Sequence, residues 1–380
     1  MNASPDKQAR VRIDRLLAAA RALQDPGSFP GRDLRARLLG STGLSEAGVE
    51  LGLTEYLETH PSETELDALC RAVQPSPVSH VLLSANVFIA AHRALALALA
   101  SSATVYVRPS RREPEFLTAL AALDPELFHV VDTLEPKSHE QLTAYGRAAT
   151  LAELRQQLPA GVQFSAAGPG HGVAFIHESA WRASPGTPGR QTSDHAPDGT
   201  PIDQLSRELV RDVVAFDQRG CLSLRWVVVE CSEPSMARLE RLAVGISTAL
   251  SAAEARVPLG RLTGEELGER RRYLDTMSYV GEVIDNGRSS VSVLSPEAAP
   301  LLPPAGRNVL LVCTADAASY AKRYADSITS YCVSHAEQPD FERAVQKCLP
   351  FARKATAGRM QQPPFDGPVD LRPATRPSTL

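Results

Sequence analysis

The 380-residue chain is 43% hydrophobic and 22% charged, an ordinary globular composition with enough apolar material for two packed domains. A net charge of −4, with acidic and basic residues interspersed, leaves no basic footprint for a nucleic-acid partner. No apolar run reaches the length of a bilayer span, and charged residues from Asp6 to Arg15 break the start of the chain, so it does not read as a secretory signal.

A helical stripe through Val11, Leu16, Leu17, Ala20 and Leu23 opens the chain, and helical patterns follow near 45–58 and 62–72. These predict an N-terminal helical arm over residues 1–75. From about residue 78 the pattern changes. Short apolar strands are expected at 81–83, 104–107, 128–131, 142–145 and 162–164, with helices at 86–100, 113–123 and 148–157. Such alternation predicts an α/β fold with a doubly wound parallel sheet, assigned to a domain over 76–204. The stretch 183–202, rich in Pro and Gly, predicts an exposed loop. A second α/β domain over 205–345 is expected from a helix at 203–214, a strand at 226–230, helices at 234–255 and 264–278, a strand at 309–312 and a helix at 316–325. Residues 346–380 form a C-terminal segment with a Pro-rich, extended tail.

The six cysteines, at 70, 221, 231, 313, 332 and 348, match neither a disulfide framework nor zinc spacing, which points to a reducing, cytoplasmic setting. Cys221 stands out among them. It follows Gly220 and the polar stretch Asp217-Gln218-Arg219, and it precedes an apolar strand. A thiol on a helix-to-strand loop is reachable by substrate, and Arg219 is a candidate to favour its thiolate. The other reading of Cys221 is a small buried hydrophobe. Asn86, between a strand and a helix, can donate to a developing oxyanion or simply cap the helix. Arg108 and Ser110 end a strand at the edge where doubly wound sheets bind ligands, or form a solvated turn. Tyr145 and Gly146 occupy an equivalent strand end. Gly170 and His171 lie in the glycine-rich turn 168–172, which precedes a strand and so departs from the dinucleotide fingerprint.

The segment Phe216-Asp217-Gln218-Arg219-Gly220-Cys221-Leu222-Ser223 resembles the acyl-CoA reductase family, the LuxC-like fatty-acyl-CoA reductases of the bacterial luminescence type. Three further segments agree in order: Ser84-Ala85-Asn86-Val87, Tyr106-Val107-Arg108-Pro109-Ser110 with Glu113-Pro114, and Gly358-Arg359-Met360-Gln361-Gln362-Pro363-Pro364-Phe365-Asp366. The resemblance covers about residues 80–370. It implies an aldehyde-dehydrogenase-like fold in which 76–204 binds a nicotinamide cofactor, 205–345 is catalytic, and 346–380 returns to the cofactor domain. It implies NADPH as reductant, Cys221 as nucleophile and Asn86 as oxyanion donor. Arg108 becomes a contact to the adenosine ribose or its 2′-phosphate, and Gly170-His171 matches a glycine–histidine pair of the family. The chain departs from the family pattern with Arg for Lys at 108, Ser84-Ala85 for a Pro-Gly entry, and Phe88 and Leu224 at positions where Pro is frequent.

The expected reaction is reduction of an acyl thioester, from acyl-CoA or an acyl-protein, to the aldehyde through a cysteine-bound acyl group. The same residues also suit a cysteine acyltransferase or thioesterase, or a non-catalytic acyl-binding relative. A homo-oligomer or an acyl-delivering protein partner is compatible with the sequence, and no membrane span is expected.

Overall fold

The computed structural model describes residues 5–84, 86–180, 200–296, 298–335 and 338–373. Most of the loop expected at 183–202 lies outside the described residues. The chain divides into two compact units, Met1–Gly170 with Gln362–Leu380, and His171–Gln361. The division therefore falls at Gly170/His171, well before the boundary expected after residue 204. The stretch that returns to the first unit starts at Gln362, later than the expected 346.

The first unit opens with four helices, α1 (Pro5–Gln24), α2 (Phe29–Ser41), α3 (Glu46–Leu51) and α4 (Glu63–Arg71). They are not a separate arm. The stripe Ile13, Leu16, Leu17, Ala20 and Leu23 of α1 is buried, and α1 packs against α5 and α6 of the following α/β layer. That layer comprises β1 (Val78–Leu82), α5 (Ala90–Ser101), β2 (Thr104–Arg108), α6 (Glu115–Leu123), β3 (His129–Val130), β4 (Gln141–Tyr145), α7 (Ala148–Gln157) and β5 (Gln163–Ala167). Arg12 Nε donates to the Leu99 carbonyl at the end of α5 at 2.8 Å, and Arg15 Nε to Asp124 beyond α6 at 2.8 Å.

The five strands run in the order β3-β2-β1-β4-β5, all parallel. The chain builds outward from β1 to β3, then crosses back to start β4 on the other side of β1. The order thus reverses between β1 and β4, and in open α/β sheets a crevice opens outside the carboxyl ends at such a switch point. The C-terminal segment is anchored in this unit by Arg93, on the Ala-rich and almost wholly buried α5. Its Nη1 donates to the carbonyls of Pro364 and Gly367, at 2.8 Å each. The neighbouring His92 ring lies 5.5 Å from the Phe365 ring, and burial pushes this histidine down to about 3, so it stays neutral.

The second unit contains β6 (His171–His177), α8 (Pro201–Val214), β7 (Leu224–Glu230), α9 (Glu240–Glu254), α10 (Gly264–Val280), β8 (Gly281–Asp285), β9 (Ser290–Leu294), β10 (Asn308–Thr314), α11 (Ala317–Tyr324), β11 (Ile328–Ser334), α12 (Pro339–Cys348) and β12 (Arg353–Ala355). Its seven-stranded sheet has the order β12-β11-β6-β7-β10-β9-β8, parallel except for the edge strand β8, which pairs antiparallel with β9. The central strands read His-Gly-Val-Ala-Phe-Ile-His, Leu-Arg-Trp-Val-Val-Val-Glu and Asn-Val-Leu-Leu-Val-Cys-Thr. Near-continuous apolar runs of this kind are what parallel strands covered on both faces require. The α8 helix turns Ile202, Leu205, Leu209 and Val213 inward at helical spacing, and each such side chain stabilises by about 1.5–3 kcal/mol when fully buried.

Candidate active site

Cys221 lies in the turn between α8 and β7 and is half-buried. The α8 helix ends at Val214 and a short tight turn, Ala215–Gln218, follows. Within it Phe216, Asp217 and Gln218 all adopt positive φ, at 52°, 50° and 65°. Three successive non-glycine residues in the left-handed region are strained, at about 1–3 kcal/mol each, and persist only where the surroundings over-determine them.

The surroundings do so here. Gln218 is fully buried; its Nε2 donates to the carbonyls of Leu224 at 2.6 Å and Asn308 at 2.7 Å, and its Oε1 accepts from the Asn308 amide at 2.8 Å. Asp217 accepts from Arg307 Nη2 at 2.8 Å and from the Gly260 amide at 3.0 Å, while its own carbonyl takes the Gly306 amide at 3.0 Å. Burial pushes the Asp217 carboxyl up, and the Arg307 guanidinium opposes the shift. Arg307 also donates to Glu254 at 2.7 Å and to the Val257 carbonyl at 2.8 Å. Arg219 is committed to neighbouring groups. Its Nε is on Glu266 at 2.9 Å and its Nη2 on the Arg261 carbonyl at 2.9 Å. Glu266 also closes a capping box with Thr263 at the start of α10, so α10 fixes Arg219 in turn.

The far side of the Cys221 turn is held by β6, β11 and the C-terminal motif. The Thr329 hydroxyl donates to the Cys221 carbonyl. The Ser330 hydroxyl donates to the Leu222 carbonyl at 3.1 Å, and the Gly172 amide to the Ser223 carbonyl at 2.8 Å. Gly172 has to be glycine, because a Cβ there would stand 2.5 Å from the Leu222 carbonyl oxygen and 2.6 Å from Met360 Cε. Gln361 Nε2 donates to the Ser223 hydroxyl at 3.0 Å. Gly358 turns the chain with φ at +80°, and its amide and that of Met360 donate to Asp212 on α8, at 2.6 and 2.8 Å. Burial pushes the Asp212 carboxyl up to about 7, against these amide donors. Thus the cysteine segment and the segment 358–361, far apart in sequence, are bonded to each other and to α8.

In the first unit, the other expected residues gather at one edge. Arg108 ends β2, its carbonyl accepting from the Leu83 amide at 3.1 Å. Asn86 is exposed on the loop after β1, and it does not cap α5, whose N-cap is Ile89. Tyr145 ends β4, and Gly146 donates to the Ala167 carbonyl at 3.2 Å. Because the strands are parallel, these residues share the carboxyl edge, with Asn86 and Tyr145-Gly146 flanking the β1/β4 switch. The Ser110 hydroxyl accepts from the Arg112 amide at 3.2 Å and shapes the turn after β2. Gly170 follows β5 as the last residue of this stretch of the unit. His171 begins β6 in the second unit, is 1% exposed, and its ring lies edge-on to Trp226 at 4.5 Å.

The turn after β2 is rich in arginine. In nicotinamide-binding folds an acidic residue near this point holds a free 2′-hydroxyl, whereas an arginine accommodates a 2′-phosphate. Arg108, Arg111 and Arg112 stand here, and the nearest carboxylate in the turn, Glu113, is buried and accepts from the amides of Glu115 and Phe116 at the head of α6.

Sequence reading missed Gln218 as a brace, and with it Asp212, Arg307, Thr329, Ser330 and Gly172. The strands and turns that bring them together are distant in sequence.

A parallel sheet with a switch point, and a second sheet carrying a braced cysteine turn, define an aldehyde-dehydrogenase fold. Solved structures agree. A benzaldehyde dehydrogenase from Corynebacterium glutamicum is similar with a TM-score of 0.68 at 12% identity, over 93% of this chain and 81% of that one. An NADP-dependent glyceraldehyde-3-phosphate dehydrogenase from Bacillus halodurans, solved with NADP, is similar with a TM-score of 0.65 at 12% identity, over 95% and 80%. A lactaldehyde dehydrogenase from Escherichia coli has a TM-score of 0.62 at 12% identity, over 92% and 79%. No curated protein is detectably similar in sequence. The family model described as "Acyl-CoA reductase (LuxC)" matches residues 48–362, and the chain belongs to that family. Among the described residues no helix is long and apolar enough to cross a membrane.

Proposed function

We propose that the protein reduces an acyl thioester, of the acyl-CoA type, to the aldehyde, with NADPH as reductant and Cys221 as the residue that carries the acyl group. The observation that carries this reading is the Cys221 turn: a half-buried thiol three residues after the strained stretch Phe216–Gln218, with neighbours on both sides fixed by buried hydrogen bonds. A packing cysteine needs no such frame, whereas a nucleophile that must meet one carbonyl carbon does.

The Cys221 thiolate attacks the thioester carbonyl, the CoA thiolate leaves, and the acyl group remains on sulfur. Asn86 is given the role of oxyanion donor on the family resemblance. The dinucleotide, when bound, supplies the hydride to the acyl carbon. The resulting thiohemiacetal on Cys221 collapses, with the aldehyde leaving and the thiolate restored. Two carboxylates near the turn, Asp217 and Glu266, are engaged by Arg307 and Arg219, which favours reduction over hydrolysis through an activated water. Arg108 is the proposed contact for the ribose 2′-phosphate, with Ser110, Tyr145, Gly146 and Gly170 along the dinucleotide; His171 keeps that assignment only through the resemblance. The test is to supply a panel of acyl-CoAs with NADPH or NADH and to follow cofactor oxidation and aldehyde formation. Acyl-CoA consumption without cofactor oxidation would instead establish an acyltransferase or thioesterase.

A further inference from the structure

Cys231 and Cys313 have no part in the chemistry above. They stand at the carboxyl ends of neighbouring parallel strands, β7 and β10, where the Cys231 amide continues the ladder to the Thr314 carbonyl at 2.9 Å. Their sulfurs are 2.9 Å apart. Both side chains are buried, Cys231 at 1% and Cys313 at 5% exposure, yet the chain directly above them, Ser232 and Glu233, is exposed. A polar group surrounds the pair: Arg238 is ion-paired to Glu178 at 3.2 Å and to Glu233 at 3.3 Å, and the Ser232 hydroxyl donates to Glu178 at 3.3 Å. Two cysteines that served only as small apolar fillers would have no reason to meet sulfur to sulfur beneath a charged surface loop. A disulfide bond is about 2.05 Å long, so the two sulfurs need to close by less than about an ångström to bond.

We propose that Cys231 and Cys313 form a peroxide-sensitive dithiol site that closes to an intramolecular disulfide, independently of the role of Cys221. The Cys231 hydrogen bond, the Ser235 amide and the Arg238 guanidinium draw the Cys313 thiol down, which favours Cys313 as the attacking sulfur. Its thiolate attacks one oxygen of hydrogen peroxide, the O–O bond breaks, and hydroxide leaves to take up a proton. The sulfenic acid on Cys313 is then attacked by the Cys231 sulfur; the S–S bond forms, the S–O bond breaks, and a second water leaves with the Cys231 proton. Overall the two thiols lose two electrons and two protons, and one peroxide becomes two waters. The bond joins residues 82 positions apart, so it removes much of the unfolded chain's freedom and raises the unfolding temperature.

The reduced full-length protein, exposed to a few equivalents of hydrogen peroxide, denatured, alkylated and digested, tests the site. The expected result is a dithiothreitol-reversible peptide pair linking Cys231 to Cys313, formed equally in Cys221→Ala and absent in Cys231→Ser, with a higher melting temperature for the oxidised wild type. Recovery of both Cys231 and Cys313 alkylated, while Cys221 is oxidised, would overturn the proposal. The wild-type peptide pair decides the matter even if the serine variant fails to fold.

Discussion

Gln218 gives the sharpest test of the braced turn. Gln218→Met keeps the length and approximate volume of the side chain but removes all three of its hydrogen bonds, leaving the Leu224 carbonyl and both backbone groups of Asn308 without that partner. A buried backbone group left unsatisfied costs about 1–3 kcal/mol, so three of them put the loss at about 3 kcal/mol or more. For a unit of this size that lowers the melting temperature by about 6 °C or more. Gln218→Gly removes the same bonds but relieves the left-handed φ of 65°. That relief is worth about 1 kcal/mol, whereas the larger void costs about 2–5 kcal/mol, so the glycine variant is expected to be the less stable of the two. Thermal unfolding followed by calorimetry, together with the rate of acyl-CoA reduction well below the transition, reads both effects. A melting temperature for Gln218→Met within about 2 °C of wild type, with unchanged turnover, would refute the idea that this side chain holds the turn.

Other expectations follow from the same geometry. Gly172→Ala places a methyl 2.5 Å from the Leu222 carbonyl oxygen, so it should be destabilised by about 1–3 kcal/mol in urea unfolding and lose much of its turnover. Asn86→Ala should lower kcat about 100-fold or more with normal unfolding, as removal of an oxyanion donor does; an unchanged kcat would remove Asn86 from the chemistry. Arg108→Ala should raise KM for NADPH far more than for NADH, measured by cofactor oxidation. The Asp212 carboxyl, raised to about 7 in the fold, makes stability depend on pH. As pH rises from the ordinary aspartate range toward 7 the unfolded chain ionises first, so stability falls, then levels off once both states are ionised. Asp212→Asn should flatten this part of the melting temperature profile.

Most strands and helices of the first unit were legible because each has one dominant periodicity. The 104–107 and 142–145 runs match β2 and β4 closely, whereas the 81–83 run catches only the end of β1, which starts at Val78. The second unit was less so. The strands β8, β9, β11 and β12 and the helix α12 went unseen, and the reason is physical in β11. Thr329 and Ser330 are polar yet fully buried, because they hold the carbonyls of Cys221 and Leu222, and that duty erases the apolar run by which a buried strand is recognised. Ser290 and Ser292 do the same to β9. The expected helix at 86–100 begins only at Ala90, since the loop carrying Asn86 leads into it. The single helix expected at 234–255 is a short turn, Met236–Arg238, followed by α9. Cys221 could be singled out as a nucleophile only through the family resemblance, because Gly220 and the following strand suit a small buried hydrophobe as well. The bond between Ser223 and Gln361 could not be read at all, because nothing in the spacing of two segments so far apart says that they touch.

The account is tested most directly by intact-mass spectrometry of the wild-type protein mixed with acyl-CoA before and after NADPH is added. It predicts an added acyl mass on the peptide that contains Cys221, lost when NADPH is supplied and never formed in Cys221→Ser. An acyl adduct that persists in Cys221→Ser, or aldehyde produced by that variant at the wild-type rate, would contradict it.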